Sequence, residues 1–109
     1  MPTDAEITAF LCERALGWEP WADGRWYCKD HGKGHRAVKR TPDFLAWAGF
    51  GLLWEHLNKT QHEVHVCRYE DGDCDGMVLN EQGLYASHDP DPKRALMLAA
   101  ARAYGMEGV

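Results

Sequence analysis

At His62 the hydrophobic pattern of this chain changes from a helical period to a period of two, and that switch limits the folds open to it. His62 to Tyr69 alternates, with Val64 and Val66 on one face and His65 and Cys67 on the other. Glu70 to Gly76 reads as a turn, Met77-Val78-Leu79 as a short strand, Asn80 to Gly83 as a second turn, and Leu84 to Ser87 as a third strand. Short alternating runs separated by Gly/Asp/Asn clusters make an antiparallel meander. Half-buried strands of this kind need helices to cover them.

The flanking sequence supplies three helices. Thr3-Asp4-Ala5-Glu6 forms a capping box, Ile7, Phe10, Leu11 and Ala15 follow at helical spacing, and Gly17 suits a left-handed stop, so the first helix is expected at 4–16. Thr41 and Pro42 read as N-cap and first residue of a second helix that ends at Asn58. Its content (Phe44, Leu45, Trp47, Phe50, Leu52, Leu53, Trp54, Leu57) is apolar on most of the circumference. Such a helix is expected to be central, or to meet a partner subunit and make a homodimer. Asp89-Pro90-Asp91-Pro92 caps a last helix, Lys93 to Tyr104, and Gly105 stops it. Small Ala95, Ala99, Ala100 and Ala103 let that helix sit close to its neighbours. The expected class is α+β: one domain over 1–109, a three-stranded or slightly larger antiparallel sheet with helices packed on it as an α-β-α sandwich, in the order α-(loop)-α-β-β-β-α. Trp18, Trp26, Trp47 and Trp54 are assigned to the core.

Composition narrows the function classes. A chain of 109 residues with net charge −5 does not present a surface for duplex nucleic acid. No apolar run reaches the roughly 18 residues of a membrane span. The N-terminus has no basic segment of the signal-peptide type. A cytoplasmic protein is expected, with Cys12, Cys28, Cys67 and Cys74 as free thiols and Cys12 packed on a helix as a small hydrophobe.

Charge is unevenly distributed. Residues 25–40 hold six of the twelve Lys and Arg against Asp30 alone, a local balance of +5, leaving −10 for the remainder. The cations are interleaved with rings, and Gly32 and Gly34 give backbone N–H groups room to approach an anion. Cations beside aromatic faces suit a nucleotide, the former meeting phosphate and the latter stacking a base. The candidate ligand-binding residues are Trp21, Arg25, Trp26, Tyr27, Lys29, Lys33, His35, Arg36, Lys39 and Arg40. Trp21, between Pro20 and Asp23, is the candidate exposed anchor. The same segment also reads as a solvated loop that balances the acidic remainder.

Two weaker metal patterns are present. Cys28-x2-His31-x3-His35 has zinc-compatible spacing, with Cys67 or Cys74 to complete four ligands. Asp71-x-Asp73-x-Asp75-Gly76 matches the first half of a calcium loop, but Gln82 stands where a bidentate Glu is needed. No cofactor is assigned. Ser87-His88-Asp89 are adjacent in sequence, which a spatially assembled triad does not require, and His56, His62 and His65 read as surface residues. No P-loop, G-x-S-x-G or H-E-x-x-H occurs, so no enzyme is expected.

Leu16-Gly17-Trp18, Thr41-Pro42-Asp43-Phe44 before Trp47, and Asp91-Pro92 before Ala95-Leu96-Met97-Leu98-Ala99-Ala100-Ala101 resemble the phage ABA-sandwich domain family. The resemblance covers most of the chain and implies an α-β-α arrangement and a phage origin, with no reaction and no catalytic residues. Joined to the basic loop, it implies a counter-defence protein that sequesters a nucleotide-like anionic small molecule. The alternatives are an inhibitor or adaptor that binds a host protein through its acidic surface, and a small zinc module.

Overall fold

The computed structural model describes residues 1–29 and 36–109. Helix α1 (Asp4–Arg14) begins with the expected capping box: the Glu6 N–H donates to Thr3 Oγ1 at 3.2 Å and the Thr3 N–H donates to Glu6 Oε1 at 3.2 Å. Its buried stripe is Ile7, Leu11 and Cys12. Two small antiparallel sheets follow in place of one. The first comprises β1 (Glu19–Pro20), β2 (Arg25–Lys29) and β3 (Arg36–Arg40), with β2 in the middle. It occupies 18–40, read from sequence as a long loop apart from a candidate short strand around Arg25 to Cys28, which is where β2 forms. After helix α2 (Trp47–Thr60), the meander forms the second sheet: β4 (Glu63–Arg68), β5 (Cys74–Asn80) and β6 (Gly83–Asp89), again with the middle strand central. Helix α3 (Pro92–Ala103) closes the chain. The α+β class and the order of helices and meander strands are as expected.

Helix α3, and not α2, is the central helix. Every residue from Ala95 to Ala101 is buried. Asp91 caps it, accepting from the Lys93 N–H, and Pro92 occupies its first turn. The helix lies so close to β5 that a Cβ on Gly76 would stand 2.5 Å from the Ala95 carbonyl. Glycine at 76 is therefore required by packing. Val64, Val66, Val78 and Ser87 share the face turned toward α3, since Val64 pairs with Val78 and Val66 and Ser87 both pair with Gly76. The opposite face carries Cys67, Asp75 and His88 in one cross-strand row and His65, Met77 and Ala86 in the next. No described helix covers that face; Leu84 on it is 63% exposed.

Arg94 ties the layers together, its Nε donating to Asp4 at 3.0 Å and its Nη1 to Asp89 at 2.8 Å.

The start of α2 departs from expectation, and the reason is local. The Thr41 hydroxyl donates to the Gly24 carbonyl (2.6 Å) and accepts from the Trp26 indole N–H (3.0 Å), so it serves the first sheet and caps nothing. Asp43 forms a turn, accepting from the Leu45 N–H at 3.0 Å, and the helix begins only at Trp47. Helix α2 buries Leu53 and Leu57 alone. Trp47 and Trp54, assigned to the core from sequence, are exposed, Trp47 by 67%. Trp26 is buried as expected, and Trp18 packs partly buried against the core.

Among the described residues no helix is long and apolar enough to cross a membrane. Cys12 and Cys74 are buried thiols and Cys67 is an exposed one. Burial pushes the Cys12 thiol pKa up to about 12.

Candidate functional site

The register of the first sheet brings like charges together. Arg25 lies directly opposite Arg40, Tyr27 opposite Val38, and position 29 opposite position 36, where the sequence again has Lys and Arg. Like charges across an antiparallel pair are unfavourable. Arg25 and Arg40 are both exposed. Glu19 pairs with Tyr27 from the other side, which places one acid on the same face as the two arginines.

An aromatic step stands beside this pair. The Trp21 ring meets Tyr27 edge-on, with centroids 4.1 Å apart and planes at 68°. Trp21 remains 50% exposed. The chain reaches this arrangement through a tight turn in which Asp23 and Gly24 both take left-handed backbone conformations (φ 62° and 68°). The Trp21 N–H then donates to the Arg25 carbonyl at 2.9 Å and closes the loop.

At the foot of the sheet a groove of about 490 Å³ runs between α1, the Trp21–Arg25 turn and the segment from Thr41 to Leu45. Trp26 forms part of its lining with Ala9, Pro20, Trp21, Pro42 and Leu45, and Arg25 stands beside them. Its size is that of a small-molecule site, and its apolar lining with few polar groups is the usual character of one. Two acids, Asp4 and Asp43, also line it. Both are engaged, Asp4 with Arg94 and Asp43 with the Leu45 N–H.

Trp21 and Arg25 thus line the groove, while Tyr27 and Arg40 share the sheet face of Arg25 without lining it. Trp26 contributes from below; its N–H is committed to Thr41. Lys39 falls on the other face, opposite Trp26, with its ammonium 5.8 Å from the Trp18 ring centroid. Lys29 and Arg36 are placed by backbone register only. Lys33 and His35 lie outside the described residues, as does His31 of the zinc pattern.

The calcium reading does not survive. Asp71 and Asp73 stay in the turn, where Asp71 accepts from the Asp73 N–H at 2.9 Å, but Asp75 leaves it to become a buried member of β5. There it accepts from the Tyr69 hydroxyl at 2.5 Å and lies against His88 Nδ1. Three ligands from one turn are therefore never assembled. Among the described residues no group of three His, Cys, Asp or Glu side chains is placed to hold a metal. The Asp75 carboxylate raises the Tyr69 pKa above its ordinary value, chiefly through that hydrogen bond.

Ser87, His88 and Asp89 form no triad either, because consecutive strand residues alternate faces: Ser87 turns to α3 and His88 to the open side. Sequence reasoning missed both the Asp75–Tyr69–His88 cluster and the Arg25–Arg40 opposition. Each depends on strand register, for which position in the chain gives no signal without the pairing.

Compared with family models, with curated proteins and with solved structures, the chain has no match to any of the three.

Proposed function

We propose that the β1–β3 sheet and its groove bind and sequester an anionic molecule with a planar apolar part, of which a nucleotide is the chemical type, without transforming it. The observation that carries this reading is the exposed Arg25–Arg40 cross-strand pair, whose Arg25 lines an aromatic groove beside Trp21. Two exposed arginines at directly opposed positions of neighbouring strands disfavour each other until an anion bridges them. A phosphate supplies that anion, with charge-assisted hydrogen bonds of about 1.5–3 kcal/mol each. A base or similar ring then has Trp21 and Tyr27 to stack against and the groove to enter. The net charge of −5 on the whole chain confines attraction for anions to this patch, which disfavours duplex nucleic acid and favours a small ligand.

Taken with the resemblance to the phage domain family, the role that fits is sequestration of a host nucleotide signal by a counter-defence protein. A thermal-shift and calorimetric screen against cyclic, linear and ADP-ribose-type nucleotides tests it, with chromatography of the ligand afterwards. Saturable 1:1 binding per chain with the nucleotide recovered intact supports the reading. Turnover of the bound nucleotide, or no binding by any member of the panel, contradicts it.

A further inference from the structure

Two acids line the groove beside Arg25, and neither suits an anion. Asp4 comes from α1 and Asp43 from the Thr41–Leu45 segment, on walls other than the turn that supplies Arg25. Both carboxylates are only partly engaged. Asp4 Oδ1 accepts from Arg94 and Asp43 Oδ1 from the Leu45 N–H, and the second oxygen of each has no hydrogen-bond partner among the described residues. An ionised carboxylate has about four acceptor positions, so each acid keeps several in hand. Arg94 balances the charge of Asp4, whereas exposed Asp43 meets only a backbone N–H among the described residues.

The side-chain donors of the groove are otherwise committed. The Trp26 indole N–H donates to Thr41 Oγ1 at 3.0 Å, the Thr41 hydroxyl to the Gly24 carbonyl at 2.6 Å, and the Thr8 hydroxyl to the Asp4 carbonyl at 2.8 Å. Among the lining side chains, Arg25 and the half-exposed Trp21 remain as donors, and both belong to the turn. The other two walls offer carboxylate oxygens set among Ala9, Pro42 and Leu45.

A molecule that enters between these walls has to be flat and apolar and to present N–H groups to Asp43. Its negative charge stays outside, with Arg25 and Arg40. Guanine is the common base that offers two neighbouring N–H donors on one edge, the ring N1–H and the 2-amino group, and one carboxylate accepts both. Adenine and cytosine place an acceptor nitrogen beside their amino group, and uracil flanks its ring N–H with two carbonyls, which a carboxylate repels.

We infer that the groove selects guanine and that Asp43 is the residue that reads it, an inference that rests on the nucleotide reading of the β1–β3 sheet. Asp4 is the lesser contributor, because Arg94 already meets its charge. The Leu45 N–H holds one oxygen of Asp43 and so orients the carboxylate before a base arrives. An acceptor fixed in this way rejects the analogue that lacks the matching donor.

Calorimetric titration of the full chain with guanosine, inosine and adenosine monophosphates tests this. The three share ribose and phosphate, and inosine differs from guanosine only in lacking the 2-amino group. Guanosine monophosphate is expected to bind roughly tenfold or more tighter than inosine monophosphate, the worth of one hydrogen bond to a charged group, and tighter than adenosine monophosphate as well. Asp43→Asn keeps an oxygen for the Leu45 N–H and turns the other position into a donor. It is expected to abolish the preference for guanosine while the melting temperature holds. Equal affinity for guanosine and inosine monophosphates in the wild type, or a preference that survives Asp43→Asn, overturns the assignment of guanine and leaves nucleotide sequestration standing. A wild-type chain that binds none of the three overturns the assignment and counts against the nucleotide reading with it.

Discussion

Strands β5 and β2 are both the middle strands of three-stranded antiparallel sheets, and they are stabilised in opposite ways. Strand β5 buries Cys74, Asp75, Gly76 and Val78, pairs Val78 with Val64, and lies against α3 closely enough to exclude any Cβ at position 76. Its one charged residue is matched by Tyr69 and His88. Strand β2 buries Trp26, pairs Arg25 with Arg40, and leaves the neighbouring Trp21 half in solvent. In the β4–β6 sheet the face turned to α3 is accounted for by packing within the chain. Among the described residues of the β1–β3 sheet Trp26 is the buried anchor, while Arg25 and Arg40 stand opposed at some expense to stability. Residues kept against the interest of the fold are the ones to read for function.

Substitutions that separate the two sheets sharpen this contrast. The largest effect is expected for Leu96→Ala. It removes a fully buried side chain from the centre of α3 and destabilises the whole chain by about 4 kcal/mol in a denaturant titration. Trp26→Ala follows at about 3 kcal/mol, since it empties the core position that Trp26 fills beneath the β1–β3 sheet and releases the Thr41 hydroxyl. A Trp26→Ala chain as stable as wild type would mean that the β1–β3 sheet is not anchored through this ring.

Alkaline pH probes the body alone. The Cys12 thiol has its pKa raised from 9.0 to about 12 by burial. Below pH 9 it is protonated in folded and unfolded chains alike, and its contribution is fully present. Between pH 9 and about 12 the unfolded chain releases a proton that the folded chain retains, so stability falls as pH rises. Cys12→Ala is expected to flatten that part of the pH profile. In alkylation at pH 8, exposed Cys67 is expected to react at once, and Cys12 and Cys74 only on unfolding. Fast labelling of Cys12 would show that α1 opens readily.

The body was legible in the sequence because its determinants are local and periodic. The capping box at Thr3, the alternation of Val64 and Val66, and Asp91-Pro92 before α3 each act within a few residues, and the elements fall close to where the pattern puts them. Thr41-Pro42 misled for the opposite reason. Its hydroxyl answers to Gly24 and Trp26, many residues earlier in the chain, and that engagement displaced the start of α2 to Trp47. Asp75 looked like a turn residue until its partners, Tyr69 and His88, drew it into β5. For α2, composition showed an apolar surface, but which face is covered depends on α3 and β4. Trp47 and Trp54 therefore could not be placed by counting. At the candidate site the residue types in 21–40 were readable, while the opposition of Arg25 and Arg40 came only with the register of β2 on β3.

The smallest expected effect on stability is the most informative for function. Arg25→Ala and Arg40→Ala each remove one partner of a repulsive exposed pair, so each is expected to change stability by less than about 0.5 kcal/mol, or to raise it slightly. The direct test of the central claim is a calorimetric titration of the tightest-binding nucleotide from the screen into wild type and into both variants, beside their melting curves. The account predicts a loss of affinity of roughly tenfold or more in each variant, with melting temperatures unchanged or slightly raised. Variants that bind the nucleotide as tightly as the wild type would contradict it.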